Sequence, residues 1–196
     1  MDDIKIFDKI IPQGYADQIE ADLMRTQFPW YYINDITNKG YGNNSGLTHL
    51  AYDTGKQPTD WFPFIRPMVY GIEEAAGHQI QQLLRIRVGF LYPTPNHMVY
   101  NTPHVDFTFP HYTACYYACD SDGDTVLFDK KLTDLPGTAY TEEAMQQYVA
   151  ETDFKVVESC APKKGSVCVF DGLRFHSSTK PQHHDRRLVI TVNYIA

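Results

Sequence analysis

The sequence lacks several features that would assign it quickly. Its four cysteines, Cys115, Cys119, Cys160 and Cys168, form no CxxC pair, and nothing in their spacing points to the disulfide framework of an exported protein. If Cys115 and Cys119 share one strand, their Cα atoms lie ~13 Å apart at about 3.3 Å per residue, too far for a disulfide. All four are therefore read as free, mostly buried thiols. No apolar run approaches the roughly 20 residues that span a bilayer. The opening Met1-Asp2-Asp3-Ile4-Lys5 lacks the basic-then-apolar pattern of a secretory signal. The expectation is a soluble, cytoplasmic protein without membrane contact. The net charge is −7, from 17 basic and 24 acidic residues, with no block of Lys and Arg. An extended nucleic-acid contact is not expected, whereas single bases and small substrates stay open. Internal repeats, low-complexity tracts and linkers are also missing, so residues 1–196 are read as one domain.

What is present is the material of a packed core: 196 residues, 43% of them hydrophobic and 14% aromatic. Residues 1–83 read as a helical N-terminal support with a loop. Pro12 starts a helix in which Tyr15, Ile19 and Leu23 form one apolar face. A second helix begins near Pro67, turns Met68, Val69, Ile72 and Ala76 inwards, and stops at Gly77. Between them, residues 34–55 hold Asn38-Lys39-Gly40-Tyr41-Gly42-Asn43-Asn44-Ser45-Gly46, a loop signature. Such a loop can close over a substrate or do nothing.

From Leu84 the period changes to two. Leu84, Ile86, Val88, Phe90 and Tyr92 share one face and Arg85 and Arg87 the other, the pattern of a half-buried strand. Strand-like runs follow at 112–119, 125–128, 154–157, 166–170, 175–177 and 187–195. A short helix, Glu142 to Ala150 capped by Thr141, interrupts them. The fold class is thus mainly β with flanking helices, its residues 84–196 forming a double-stranded β-helix (jelly roll).

Three elements carry chemistry. In the extended segment His104-Val105-Asp106 an imidazole and a carboxylate point to the same side. Further on, Phe170-Asp171-Gly172-Leu173-Arg174-Phe175-His176 places a second His after a strand, a turn and a short extended run. Two imidazoles and one carboxylate leave three positions of an octahedral metal open, which suits iron(II) oxygenases; a structural zinc site would be closed by four ligands. Eleven residues after His176, Arg187 opens the last strand, sharing a face with Val189, Thr191 and Asn193. A buried unpaired Arg is costly, and an external carboxylate would satisfy it through a two-pronged contact. Arg186 is the neighbouring alternative; it would face with Leu188, Ile190 and Val192, the bulkier side.

These stretches, together with Phe90-Leu91-Tyr92-Pro93, Tyr112-Thr113-Ala114-Cys115-Tyr116-Tyr117 and Gly123-Asp124-Thr125-Val126-Leu127-Phe128, resemble the 2-oxoglutarate and iron(II)-dependent dioxygenases. The likeness is to the prolyl-hydroxylase-like branch in its compact bacterial or phage-type form, and it runs from about Ile86 to Tyr194. The resemblance implies that His104, Asp106 and His176 bind Fe(II) and that Arg187 holds the distal carboxylate of 2-oxoglutarate. Tyr92 and Tyr117 match positions beside that co-substrate. It further implies that O2 and 2-oxoglutarate are consumed, giving succinate and carbon dioxide, while a substrate is hydroxylated. That substrate is a peptide or small molecule, with a prolyl residue of a peptide or protein as the leading one.

Two other readings stay open on the residues alone: a cupin-type metal enzyme, disfavoured because Asp106 stands where cupins place a second His, and a catalytically silent jelly roll that binds a carboxylate or a protein. Tyr92 and Tyr117 can equally be core aromatics. His183 and His184 read as an exposed turn, and His49, His78, His97 and His111 as ordinary residues, although His97 lies in the loop before the metal motif. Asn193 could hydrogen-bond near the co-substrate.

Overall fold

The computed structural model describes residues 4–37, 45–93, 100–135 and 140–196. Among these residues ten strands form two antiparallel sheets. In chain order the elements are β1 (Lys5–Phe7), α1 (Gln13–Leu23), β2 (Tyr31–Ile33), β3 (Gly46–Asp53), α2 (Phe62–Ile65), α3 (Pro67–Ala76), β4 (Gln82–Leu91), β5 (Tyr112–Tyr117) and β6 (Thr125–Lys131). A single 3-10 turn, α4 (Glu142–Glu151), β7 (Val156–Cys160), β8 (Val167–Asp171), β9 (Arg174–Ser178) and β10 (Arg187–Ile195) complete the chain. The large sheet runs β1-β8-β5-β10-β4-β3-β2 and the small one β7-β6-β9. This is the jelly-roll class expected from the alternation.

The helices form where the sequence signals them. Pro12 precedes α1, whose Ala16, Ile19 and Leu23 are buried. Pro67 opens α3, and Gly77 ends it in a left-handed conformation (φ 74°) that an L side chain rarely adopts. The Thr141 hydroxyl caps α4 by accepting from the Ala144 N–H at 3.2 Å. Helices α1 to α3 cover one face of the large sheet, burying Ile86 and Val88 of β4, Ala114 and Tyr116 of β5, and Leu188, Ile190, Val192 and Tyr194 of β10 in one core. A second cluster joins α4 to the small sheet through Phe128, Phe154 and Phe175. Phe154 is buried there although β7 begins two residues later than its position suggested. All four cysteines are free and buried, with the Cys160 and Cys168 sulfurs 2.7 Å apart. Among the described residues, no helix is long and apolar enough to cross a membrane.

The structure corrects three expectations. Residues 46–53, read as loop, form β3, paired with β4 and β2. Their signal was hidden by the glycines and asparagines just before them, while the buried His49 and Ala51 hold the strand against Phe28 and Trp61, whose rings lie 4.8 Å apart. The Gly-rich residues 38–44 themselves lie outside the described residues, as does the expectation that they close over substrate. Second, residues 1–83 are more than a helical support, because β1, β2 and β3 are strands of the large sheet. Third, β4 is not half-buried in the sense of one wet face: it lies between β10 and β3, so its apolar face meets the helices while Arg85 and Arg87 turn to the space between the sheets.

Candidate active site

The three metal-ligand candidates converge at one end of that space. His176 comes from β9 of the small sheet. The segment 101–104 runs antiparallel beside it, with Asn101 N–H donating to Ser178 O at 2.8 Å, and His104 and His176 exchanging both backbone hydrogen bonds at 3.0 Å. This reciprocal pairing brings the two side chains together, with ring centroids 4.5 Å apart. Asp106 then reaches across to the large sheet, where Asn193 Nδ2 donates to its Oδ2 at 2.8 Å and Arg85 pairs with its Oδ1. One ligand atom from each of His104, Asp106 and His176 lies within 4.8 Å of the others.

Hydrogen bonding prepares these groups for a cation. Nδ1 of His104 faces Thr102 O at 3.2 Å and Nδ1 of His176 faces Arg174 O at 3.1 Å. A carbonyl only accepts, so both rings carry the proton on Nδ1 and keep the Nε2 lone pair free. Burial, and then the neighbouring His176, push the His104 imidazolium down to about 3; burial likewise lowers His176. Both imidazoles are therefore neutral near neutral pH. Burial alone would raise the Asp106 carboxyl, but the charges of Arg85 and Arg87 outweigh it and hold it well below the usual carboxylate range. A deprotonated carboxylate and two neutral imidazoles, each oriented by a second partner, form a donor set that fits a divalent metal and leaves coordination sites free.

The triad opens into a narrow cleft of about 70 Å³. Arg187 lies at one side, only 4% exposed. Its Nε donates to Gly123 O at 2.6 Å and its Nη2 to Thr125 Oγ1 at 2.8 Å. Tyr117, fully buried, lies with its ring 5.9 Å from the guanidinium and donates its hydroxyl to Thr125 Oγ1 at 2.8 Å. Gly123 is required by close approach: a Cβ there would sit 2.9 Å from Arg187 Cδ and 3.0 Å from Thr179 O. Among the described residues no carboxylate pairs with Arg187. Arg186, the alternative, points away and pairs with Glu20 of α1 at 2.9 Å.

Tyr92 stands just beyond β4, its hydroxyl 2.6 Å from Ser45 Oγ and its ring 5.6 Å from Lys180 Nζ; it is not part of the cleft lining. The other histidines are engaged elsewhere. His49 bridges Pro29 O and Thr59 Oγ1, each at 3.0 Å, His78 meets the Tyr194 hydroxyl at 3.0 Å, and His111 packs under Gly172 with Nδ1 2.8 Å from Phe109 O. His183 and His184 are exposed, and His97 lies outside the described residues. Sequence reasoning did not identify Arg85 as a partner of Asp106, Arg87 as a cleft residue or Thr125 as a seat for Arg187. The signal for the two arginines was present, since they alternate with buried apolar residues on one strand.

No family model matches the chain and no curated protein matches it. Solved structures do. The epimerase SnoN from nogalamycin biosynthesis, in complex with Fe3+, alpha ketoglutarate and nogalamycin RO, superposes with a TM-score of 0.64 at 16% identity, covering 99% of this chain and 79% of that one. A Pseudomonas putida prolyl-4-hydroxylase gives 0.53 at 13% identity, covering 99% and 92%. HygX from Streptomyces hygroscopicus, with nickel and 2-oxoglutarate bound, gives 0.57 at 10% identity, covering 98% and 82%. The chain therefore has the fold of 2-oxoglutarate and iron(II) oxygenase structures, prolyl hydroxylases among them, the group that its motifs resemble.

Proposed function

We propose that the protein is a 2-oxoglutarate-dependent iron(II) dioxygenase in which His104, Asp106 and His176 hold the metal and Arg187 holds the distal carboxylate of the co-substrate. The observation that carries this reading is the pairing, in one cleft, of the His-Asp-His cluster with a buried arginine that pairs with no carboxylate among the described residues. Iron bound there would supply, with O2 and 2-oxoglutarate, the oxidation that places one oxygen atom in substrate and one in succinate as carbon dioxide leaves. The chain's own residues bind and orient. Arg85 and Asn193 fix the Asp106 carboxylate, the carbonyls of Thr102 and Arg174 fix the two rings, and Gly123, Thr125 and Tyr117 fix Arg187. Leu91 and Val189 line the cleft and limit water around the co-substrate.

Thr125 Oγ1 accepts from both Tyr117 and Arg187, which leaves its own proton to donate into the cleft it lines. Tyr117 thus acts through Thr125 and Arg187. Tyr92, outside the lining, receives no role. A prolyl residue of a peptide or protein is the substrate supported by the motif resemblance and by the likeness to a prolyl-4-hydroxylase. The test of the class is stoichiometric: iron(II)-reconstituted protein should turn 2-oxoglutarate into succinate with uptake of O2, and His176→Ala should not. Wild-type protein that binds iron yet forms no succinate with any substrate, nor any at the slow rate without one, would contradict the reading.

A further inference from the structure

The cleft holds a second arginine to which the reading above gives no role. Arg87 lines it beside Thr48 and Gly89. It makes no hydrogen bond or ion pair with any described residue. Its neighbour Arg85 is committed to Asp106 and Asn193, and both Asp106 oxygens are taken, one by Arg85 and one by Asn193. Arg87 is consequently a cation beside another cation in the cleft lining, and the anion that acts on it, Asp106, is already hydrogen-bonded to Arg85 and Asn193.

The position of Arg87 separates it from the Arg187 site. On the sheet Arg87 lies opposite Thr191, whereas Arg187 lies opposite Leu91. That is four residues along β10, ~13 Å at about 3.3 Å per residue. Arg187 is seated towards β5 and β6 by Tyr117 and Thr125; Arg87 lies towards β3, opposite Leu50 and next to the Thr48–Gly89 pair. Of the two, Arg87 stands nearer the level of Arg85, Asn193 and so the metal cluster.

We propose, building on the oxygenase reading, that Arg87 is the specificity-determining residue for the primary substrate and that this substrate carries a carboxylate, bound on the β3–β4 side of the cleft. A single guanidinium matches the two oxygens and single charge of a carboxylate, and among the described residues no other Lys or Arg lines this side of the cleft. The carboxylate can belong to a free organic or amino acid or to an acidic side chain of a peptide.

The test uses full-length protein loaded with Ni(II), which binds without turnover, and saturated with 2-oxoglutarate. Calorimetric titrations then compare matched acid and amide pairs: N-acetyl-L-proline with its amide, phenylacetate with phenylacetamide, and blocked Gly-Glu-Gly with blocked Gly-Gln-Gly. At least one acid should bind about tenfold or more tightly than its amide, the discrimination expected of a charge-assisted contact. Arg87→Gln should abolish that difference, Arg87→Lys should keep part of it, and Arg186→Gln should leave it intact. Preference within the first two pairs identifies a free acid, and preference confined to the peptide pair identifies an acidic side chain. The proposal is overturned if no pair is discriminated, if discrimination survives Arg87→Gln, or if Arg87→Gln instead weakens 2-oxoglutarate, which would make Arg87 a co-substrate residue. Unchanged 2-oxoglutarate binding in Arg87→Gln also shows that the variant is folded. Failure of the underlying oxygenase reading looks different: wild-type Ni(II) protein would then bind no 2-oxoglutarate at all.

Discussion

The two faces of the large sheet are built from the same strands and do opposite work. Along β10, Leu188, Ile190, Val192 and Tyr194 turn towards the helices and are fully buried in an apolar core. The residues between them, Arg187, Val189, Thr191 and Asn193, turn towards the small sheet, where they line the cleft or hold Asp106. β4 repeats the division, with Ile86 and Val88 on the helix face and Arg85, Arg87 and Gly89 on the other. One face is non-directional packing, in which volume decides the energy. The other is a set of fixed charges and donors whose value lies in where they point. The stability of the fold and the chemistry of the site can therefore be perturbed separately, although neighbouring residues of one strand carry them.

The largest effect should come from the metal cluster. His176→Ala should eliminate iron binding and succinate formation while the far-ultraviolet spectrum stays that of the wild type; turnover at the wild-type rate would remove His176 from the site. On the opposite face, Ile190→Ala should cost about 2–5 kcal/mol of stability through the cavity it leaves. Chemical denaturation measures that loss, and iron affinity per folded molecule should not move with it. If the two faces cannot be separated in this way, the division drawn here fails.

Smaller effects sharpen the picture of the polar face. Arg187→Gln should raise the dissociation constant for 2-oxoglutarate by roughly ten- to a hundredfold, since a charge-assisted contact contributes about 1.5–3 kcal/mol, whereas Arg186→Gln should leave it unchanged. The reverse result would move the anion site by one residue. Arg85→Gln or Asn193→Ala, which free the Asp106 carboxylate to rotate, should weaken metal binding by about 10- to 100-fold, readable by competition with a chelating dye.

The smallest effect is a dependence of stability on pH. Burial lowers the proton affinity of His49 in the folded state, so the unfolded chain binds more protons. Stability of the metal-free protein is then undiminished above about pH 6.5, the ordinary His value, and declines as pH falls from there through the depressed folded value. Thermal melts between pH 7.5 and 5 should show the decline, and His49→Gln should make it shallower without removing it, because burial also lowers His78, His104, His111 and His176.

Much of this was legible in the sequence, for reasons that differ by element. Helices α1, α3 and α4 carry their own punctuation in Pro12, Pro67, Gly77 and Thr141, so their ends could be read locally. The period-two strands from β4 onwards were equally plain. β3 was not, because its pairing with β4 lies 30 or more residues away in sequence and its own residues follow a run of glycine and asparagine. The His-Asp-His cluster could be inferred from spacing because His104 and Asp106 are two residues apart and His176 lies in the short strand that follows a turn. Arg85 and Arg87 were missed for a physical reason: alternation shows that two faces differ, not that the polar one is wet. In this sheet both faces are covered, one by helices and one by a second sheet, and the charged residues of the inner face turn into the space between the sheets.

The most direct test is an anaerobic titration of the metal-free protein with iron(II) and 2-oxoglutarate, following the weak visible charge-transfer absorption of the chelated co-substrate. The account predicts a band in the wild type that is absent in His176→Ala and needs more 2-oxoglutarate in Arg187→Gln. A folded, iron-loaded wild type that shows no band would contradict it.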